Sequence, residues 1–427
     1  MENTQVTDRE STQAHQHWLS LRRALIANGA FAIYATVLAV DTGDADRIWA
    51  IWAAAGYGVT TIILWLIRHK NVPLIFPLLV SLAGALAAPV TWLATKVAPT
   101  AEVTVISQSA SLLLHHGTPY LGAGQLDSVL SSNPYLPVMA VFGMPKALGA
   151  TGLFGDPRVW LTAVSIALIF AAFSVAAPHR HCDGCRHGVL LSTVFIAASP
   201  VIAFPLAVGI TDPPVIALMF LTLALIARPS GLIKAAAALG VACAMKATAW
   251  PAVPVFTAML AARDGARKAW RFAAATVVIA GVLAVLFAPE ALANPYSFLQ
   301  NTVLFPLGLT KHKTPAASPL PGHLLADTGM AGHWAAVGLL AAAGVAFVVW
   351  LIVRPPRDAR AAAWRLAIGL TIMFTLAPAT RWGYFVYPIG LVGWLLLTQR
   401  PTTATGGPPI EIPVQGAGEQ VVPAAAR

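Results

Sequence analysis

The chain has 427 residues, of which 57% are hydrophobic and only 10% are charged, and its formal net charge is +10. So little charge cannot cover the surface of a soluble domain of this length, which excludes a soluble globular protein. The positive charge does not indicate a nucleic-acid partner, because the basic residues fall in short loops between apolar segments, as the positive-inside rule describes.

Apolar segments of about 17–25 residues recur along the chain, which is the length a helix needs to cross a bilayer. They predict an all-α, polytopic integral membrane protein with about 12 transmembrane helices and with re-entrant or interfacial helices in its outer loops. The predicted spans are 24–40, 48–67, 73–97, 158–177, 189–209, 212–227, 233–247, 249–262, 271–288, 332–353, 364–379 and 383–398.

The charge pattern also predicts domain limits and orientation. Residues 1–23 are a polar cytoplasmic segment without signal-peptide features, residues 24–398 form the membrane-embedded domain, and residues 399–427 are a disordered Pro/Gly/Ala-rich tail. The basic loops all lie in the cytoplasm if residues 134–150 are re-entrant. If that segment crosses fully, the loop at 179–187 moves outside and breaks the rule, so we favour the re-entrant arrangement.

Three cysteines occur in the chain. Cys182 and Cys185, in "HRHCDGCRH", have the spacing of half a zinc site, but no second cysteine pair is present. A solvated basic loop is therefore favoured, and a disulfide is not expected on the reducing cytoplasmic side. Cys243 is expected to be a small core residue.

Two long outer loops, 98–157 and 289–331, are predicted to carry function, because long loops in compact proteins usually do. The first contains "PTAEVTVISQSASLLLHHGTPYL". Its residues Val103, Ile106 and Ala110, followed by Leu113 and Leu114, share one helical face, which predicts an interfacial amphipathic helix.

Two acidic residues stand out among the 17 in the chain. Glu102 lies between an apolar span and the amphipathic helix, where water is scarce and a carboxylate can serve as a base. Its alternative role is to interact with the helix dipole. Asp212 begins a span and is either the second candidate acid or an N-cap. Asp127, Asp156 and Asp327 are expected to be solvated turn residues.

Several cations break the positive-inside bias on the outer side. Lys246 lies at the outer end of an apolar helix, where a lysine is either functional or extends to the headgroups. "TKHKTP" places Lys311, His312 and Lys313 together, and Arg381 interrupts the last pair of spans. Clustered cations at this depth suit a phosphate group carried by a lipid.

Several stretches together resemble a known family. "AEVTVISQSASLLLHHGTPYL" followed by "NPYLPVMAVFGMP" resembles the first outer loop of the actinobacterial polyprenol-phosphate-mannose-dependent mannosyltransferases, which are GT-C glycosyltransferases. "GLIKAAAALGVACAMKATAWPAVPVF", "NPYSFLQNTVLFPLGL" and "ATRWGYFVYPIGL" resemble later parts of that family. The resemblance covers roughly residues 75–398. The family's usual acid is an aspartate, where this chain has Glu102, and the two spans before residue 70 are an addition.

The resemblance implies a GT-C-like enzyme that moves a sugar, expected to be mannose, from a polyprenyl-phosphate donor to a lipid or glycan hydroxyl. The reaction would occur with inversion, on the outer face of the cell membrane. Glu102 would be the base and Asp212 the next candidate. The donor phosphate would bind Lys246, Lys311, His312, Lys313 and Arg381, and the substrates would contact Tyr120, Tyr135, Trp250, Tyr296, His323 and Tyr384.

No cofactor and no tightly bound catalytic metal are expected. His115 and His116 are adjacent, so on a helix they point about 100° apart and chelate poorly together. The main alternative function is a transporter or lipid flippase, which many helices and an intramembrane lysine also fit. A transporter of this size often shows an internal repeat, and the sequence shows none. A non-catalytic scaffold would leave Lys246 and Glu102 without a role.

Overall fold

The computed structural model describes residues 2–70, 72–177, 183–289, 294–312 and 314–398, with the backbone alone for 2–19, 41, 123 and 183–185. Its α-helices are α1 Glu2–Asp41, α2 Asp44–Leu66, α3 Ile75–Leu82, α4 Ala88–Lys96, α5 Ala101–His116, α6 Met144–Ala147, α7 Pro157–Ala176, α8 Asp183–Ala198, α9 Pro200–Val208, α10 Asp212–Ile226, α11 Leu232–Met245, α12 Ala252–Asp264, α13 Ala266–Phe287, α14 Pro295–Leu299, α15 Pro321–Ala326, α16 Met330–Val353, α17 Ala359–Leu376 and α18 Val386–Thr398. A π-helical turn, Ala83–Ala87, joins α3 to α4.

Every predicted span is helical in the structure, although 73–97 is formed by α3 and α4 together and 189–209 by α8 and α9. The all-α membrane fold class is confirmed. In the described part of the chain, seven helices are long and apolar enough to cross a membrane. A pair bent by 57°, Arg186–Ala198 with Pro200–Val208, raises this number to eight. The other predicted spans are shorter helices, so full-length spans are fewer than the twelve predicted.

The short helices form the centre of the molecule. Nearly every residue of α10 is buried, as is most of α11, although neither is long enough to span a bilayer alone. The outer helices α13 and α16 instead expose most of their apolar surface. Because neighbouring helices cover α10 and α11, these helices can begin or end inside the protein. Asp212 at the start of α10 and Lys246 after the end of α11 are therefore buried.

The segment predicted to be re-entrant forms no spanning helix. Its described backbone consists of a 3₁₀ helix, Pro137–Gly143, followed by the short α6. Gly143 lies directly against α5, because a Cβ atom there would come within 2.5 Å of the carbonyl oxygen of Ile106. The absence of a side chain therefore lets this segment pack closely on α5.

Helix α5 forms as predicted and ends at Gly117, which has the left-handed φ of 69°. Its buried face was predicted in part wrongly, since Ser109 is only 3% exposed while Leu114 is 40% exposed. The reason is that α5 packs against Pro137–Gly143 and α7, not only against lipid. Protein contacts thus determine which of its residues are buried.

The structure describes the side chain of one of the three cysteines, Cys243. Cys243 is fully buried with a free thiol, which confirms the prediction of a core residue. Cys182 and the side chain of Cys185 lie outside the described residues, and so do Lys313 and the tail 399–427. The predictions made for them stay predictions.

Candidate functional site

A cavity of about 260 Å³, here called the central cavity, lies between the first turn of α5, the break after α11 and the end of α17. Its polar lining comes from side chains far apart in sequence, and its remaining wall is largely apolar. The charged and tyrosine side chains around it are Glu102, Tyr135, Lys246, Arg381 and Tyr384. All five were predicted from the sequence as site residues, and the fold brings them together.

Both carboxylate oxygens of Glu102 have partners. Arg381 Nη1 lies 2.9 Å from Oε1, and the Tyr135 hydroxyl donates a hydrogen bond of 3.0 Å to Oε2. The side chains of Glu102 and Arg381 are 17% and 34% exposed, so this pair faces the cavity and is only partly buried. Glu102 also lies in the first turn of α5, where the helix dipole favours a negative charge.

Tyr135 is held from several sides. Its backbone nitrogen donates to the Asn133 side chain at 3.0 Å, and its carbonyl oxygen accepts from the Tyr120 hydroxyl at 2.8 Å. The Asn133 backbone nitrogen donates in turn to Asn301 Oδ1 at 2.8 Å. Burial raises the pKa of Tyr135 well above 10.0, and the charge of Glu102 raises it further. The hydroxyl therefore stays protonated and donates to Glu102.

Lys246 forms a second ion pair behind the first. Helix α11 ends at Met245, and the extended backbone of Lys246 directs its ammonium toward the start of α10. Nζ lies 2.5 Å from Asp212 Oδ1 and 3.0 Å from Thr211 Oγ1. It also lies 5.5 Å and 5.7 Å from the ring centres of Tyr135 and Tyr384, within the range of cation–π contacts.

These contacts settle the structural alternatives for two residues. Lys246 does not extend to the headgroups, because its ammonium is ion-paired inside the protein and the residue is only 9% exposed. Asp212 does not serve as the N-cap, because Thr211 occupies that position and the Asp212 carboxylate contacts Lys246. Asp212 is 1% exposed and lies behind the cavity, while Glu102 lines it.

The second long loop positions Arg381. Thr380 pairs with this loop through its backbone nitrogen to the carbonyl of Ala316 and its carbonyl to the nitrogen of Ser318, both at 2.9 Å. Gly322 packs directly on the end of α17, where a Cβ atom would come within 2.1 Å of the carbonyl oxygen of Leu376. The loop and the segment before α18 therefore form one wall, from which Arg381 reaches Glu102.

The remaining described residues predicted for the site lie away from the central cavity. Lys311 is exposed, Tyr296 is 58% exposed, and the Trp250 indole donates to the carbonyl of Cys243. His323 Nδ1 lies 2.9 Å from the carbonyl oxygen of Pro378 and so contacts the cavity wall from behind. His312 is half-buried near Lys311 and does not line the cavity either, and Tyr120 supports Tyr135 from a neighbouring cleft.

Two polar contacts were not foreseen. Thr248 lines the central cavity and donates to the Tyr387 hydroxyl at 2.7 Å, in the break that follows Lys246. Asp156 was expected to be solvated, and this is wrong: it caps α7 and forms a 2.7 Å ion pair with the fully buried Arg158. Sequence spacing alone does not reveal that this turn is covered by other segments.

Comparisons with known proteins bear on this site. The sequence matches the family model of glycosyltransferase family 87 over residues 133–378, which is more than half of the chain. The chain belongs to glycosyltransferase family 87. This family is one of glycosyltransferases, the enzyme class that the sequence predicts. The matched region contains Asp212 and Lys246, while Glu102 lies 31 residues before it and Arg381 three residues after it.

Two solved structures are similar to the chain at 18% identity, both of ArnT from Cupriavidus metallidurans. The structure bound to undecaprenyl phosphate has a TM-score of 0.48 and is matched over 76% of this chain and 58% of that chain. The apo structure has a TM-score of 0.46, with 73% and 57% covered. This chain thus spans less than two thirds of the length of ArnT. A search of curated proteins found no match.

Proposed function

We propose that this family 87 protein is a GT-C enzyme that transfers mannose from a polyprenyl-phosphate donor to a hydroxyl group of a lipid or glycan acceptor, with inversion. The observation that carries the proposal is the convergence of one carboxylate and two cations on a single cavity. Glu102, Lys246 and Arg381 provide the base and the phosphate ligands that such a reaction requires.

The donor phosphate fits between Lys246 and Arg381. Negative charge grows on the leaving phosphate as the bond to the sugar breaks, so fixed cations stabilise the transition state more than the ground state. The prenyl chain fits the apolar wall of the cavity, which includes Leu340, Met373 and Phe374 on α16 and α17. Both helices also carry exposed apolar surface on which the rest of the prenyl chain could lie.

Glu102 is the proposed base. Its carboxylate takes the proton of the acceptor hydroxyl while the hydroxyl oxygen attacks the anomeric carbon, and the bonding electrons leave with the phosphate. Among the described cavity residues Glu102 is the sole carboxylate, which suits a single displacement with inversion better than a mechanism with a second, nucleophilic carboxylate. Arrival of the phosphate would draw Arg381 away from Glu102 and free an oxygen for the proton.

The proposed orientation places the central cavity on the extracytoplasmic side, because the basic loops then lie in the cytoplasm. It can be tested in whole cells with a membrane-impermeant thiol reagent. Lys311→Cys should be labelled, while the native Cys182 and Cys185 should not. Labelling of the native pair from outside would reverse the orientation.

The activity itself can be tested with purified protein in proteoliposomes. Polyprenyl-phosphate donors carrying radiolabelled mannose or a labelled pentose are mixed with membrane lipids, and products are separated by chromatography. Transfer of mannose onto a lipid-soluble product, abolished in Glu102→Gln, is the expected result. Movement of the donor lipid across the bilayer with no transfer would support a flippase instead.

A further inference from the structure

Two further clefts lie along α5 beyond the central cavity. The near cleft, of about 520 Å³, is lined by residues that include Gln108, Ser111 and Asp127. The far cleft, of about 550 Å³, is lined by residues that include His115 and Gln125. Each is within the size range of about 300–1,000 Å³ that ligand sites occupy.

The central cavity and the two clefts share walls in series. Val105 and Leu130 line both the central cavity and the near cleft, while Leu112 and Leu121 line both clefts. Glu102, Val105, Leu112 and His116 follow helical spacing, so a single side of α5 passes all three spaces in order. From Glu102 to His116 this side extends roughly 20 Å, at about 1.5 Å per residue.

The walls of the clefts carry polar groups that are free to bind a ligand. Within the described part of the chain, no hydrogen bond involves the side chains of Gln108, Ser111, His115 or His116. These groups are donors and acceptors at once, or become either by a change of tautomer, which matches the hydroxyl groups of sugars. Apolar patches from Leu112 and Leu121 alternate with them.

The lining that α5 does not contribute is held in place by hydrogen bonds and ring packing. Asn133 donates to the carbonyl of Pro119 at 3.1 Å, and Ser297 donates to the carbonyl of Leu121 at 2.9 Å. The ring of Tyr120 packs edge-on against Phe298 with centres 5.6 Å apart. This part of the lining is therefore fixed before a ligand binds, as a preorganised binding site requires, while α5 contributes the free polar groups.

Charge separates the clefts from the central cavity. Among the described residues that line the two clefts, Asp127 alone carries a formal charge at neutral pH with histidine neutral. The central cavity instead holds two cations and one carboxylate. Of these three spaces, the central cavity alone has cations in its described lining that could bind a phosphate, whereas the clefts suit a neutral, hydroxyl-rich ligand.

We infer that the near and far clefts form one groove that binds the neutral glycan of an acceptor with several sugar units, with the accepting hydroxyl at Glu102. This inference rests on the proposed function and specifies its acceptor. A lipid acceptor with a single sugar would occupy only the central cavity and would leave the groove empty. The groove predicts that acceptor use improves as the glycan lengthens along α5.

The test fills the groove with bulky side chains. Ser111→Trp blocks the near cleft, Gln125→Trp blocks the far cleft, and Leu114→Trp is the matched control, because Leu114 is 40% exposed on α5 and lines neither cleft. Two activities are measured with a labelled polyprenyl-phosphate mannose donor. One is release of free mannose to water, and the other is transfer onto glycolipids extracted from the source membranes and fractionated by sugar number.

The groove variants should lose transfer onto glycolipids of three or more sugars at least about tenfold, through a higher KM for the acceptor, while release to water stays within about twofold. The control should keep both activities. Transfer at the parent's level in both groove variants would overturn the inference. The finding that the unmodified protein accepts only lipids with a single sugar would also overturn it. A parent that neither transfers nor releases mannose would instead contradict the proposed function.

A second measurement guards against a groove variant that fails to fold. Soluble glycans released from the same glycolipids are added as competitors to the unmodified protein. Inhibition should strengthen with each added sugar until the far cleft is filled. Inhibition that does not depend on glycan length would overturn the groove.

Discussion

Each of the two ion pairs at the site joins one basic and one acidic side chain, but the two pairs differ in how exposed they are. The side chains of Arg381 and Glu102 are 34% and 17% exposed and face the central cavity, whereas those of Lys246 and Asp212 are 11% and 2% exposed, with Lys246 in the cavity wall and Asp212 behind it. A pair open to a cavity can exchange partners with a substrate at low cost. A buried pair must stay intact, because separating its charges leaves one of them without solvent or partner.

This difference suggests a division of roles. The buried Asp212 holds the Lys246 ammonium at a fixed point of the cavity wall, while Glu102 and Arg381 keep the freedom to act on acceptor and donor. The predictions that follow test this contrast.

Breaking the buried pair should have the largest effect on the whole protein. Lys246→Ala leaves the Asp212 carboxylate buried and unpaired, which should lower the free energy of unfolding by about 3–5 kcal/mol and abolish donor use. Lys246→Arg should keep part of the activity, because the charge survives with altered geometry. Thermal unfolding in detergent and mannose transfer measure the two effects.

The matched control for this change is the double variant Lys246→Ala with Asp212→Asn. It contains no unpaired buried charge, so its unfolding temperature should recover much of the loss while its activity should not. If Lys246→Ala has the unfolding temperature and the transfer activity of the parent, the buried pair contributes neither to stability nor to donor use.

Breaking the open pair should affect activity far more than folding. Arg381→Gln removes the proposed charge-assisted hydrogen bond to the donor phosphate, worth about 1.5–3 kcal/mol, so kcat/KM for the donor should fall about 10–100-fold. The free energy of unfolding should change by less than about 1 kcal/mol, because the pair is open to the cavity and water can solvate the remaining carboxylate. Arg381→Lys should lie between the parent and Arg381→Gln. A large loss of stability would show that the two pairs do not differ as proposed.

Removing the hydroxyl that supports Glu102 should have a smaller effect. Tyr135→Phe deletes one hydrogen bond, worth about 0.5–1.5 kcal/mol net, and should reduce turnover about 2–10-fold. Tyr296→Phe is the control, because Tyr296 is 58% exposed and lies outside the cavity. Equal turnover of Tyr135→Phe and Tyr296→Phe would exclude a role for this hydrogen bond.

The smallest effect is expected at Lys311. The sequence predicts that this lysine binds phosphate, but the structure places it exposed and outside the central cavity. Lys311→Ala should therefore change donor KM by less than about twofold. A tenfold increase in donor KM would restore the sequence-based assignment and would require the loop to close over the donor.

The fold was largely predictable because the evidence for each helix is local. Apolar length and punctuation by proline, glycine or charge located a helix at all twelve predicted spans. The sequence did not show which helices are long enough to span the membrane. Helices α10 and α11 can be short because neighbouring helices cover them, and such contacts are not visible in the sequence of α10 or α11. The buried face of α5 was partly wrong for the same reason, because Ser109 is covered by packing that sequence spacing does not record.

The residues of the site could be predicted from the sequence, but their ion-pair partners could not. Glu102, Lys246 and Arg381 could be predicted as site residues because a charge in apolar surroundings costs free energy and therefore indicates a functional role. Their partners could not be assigned, since Arg381 and Glu102 are 279 residues apart and meet only through the packing of both long loops. The sequence offered both Asp212 and Glu102 as the candidate base. Their different burial in the structure distinguishes them, because Asp212 is buried and Glu102 faces the central cavity.

The most direct test of the account measures the chemical step with donor already bound. Glu102→Gln, Glu102→Asp and Asp212→Asn are loaded with labelled polyprenyl-phosphate mannose, and mannose transfer to membrane lipids is followed in a single turnover. The account predicts that Glu102→Gln binds the donor normally but slows transfer by at least about 100-fold, and that Glu102→Asp retains more activity. Normal transfer by Glu102→Gln, together with a folded but inactive Asp212→Asn, would contradict it and move the base to the buried pair.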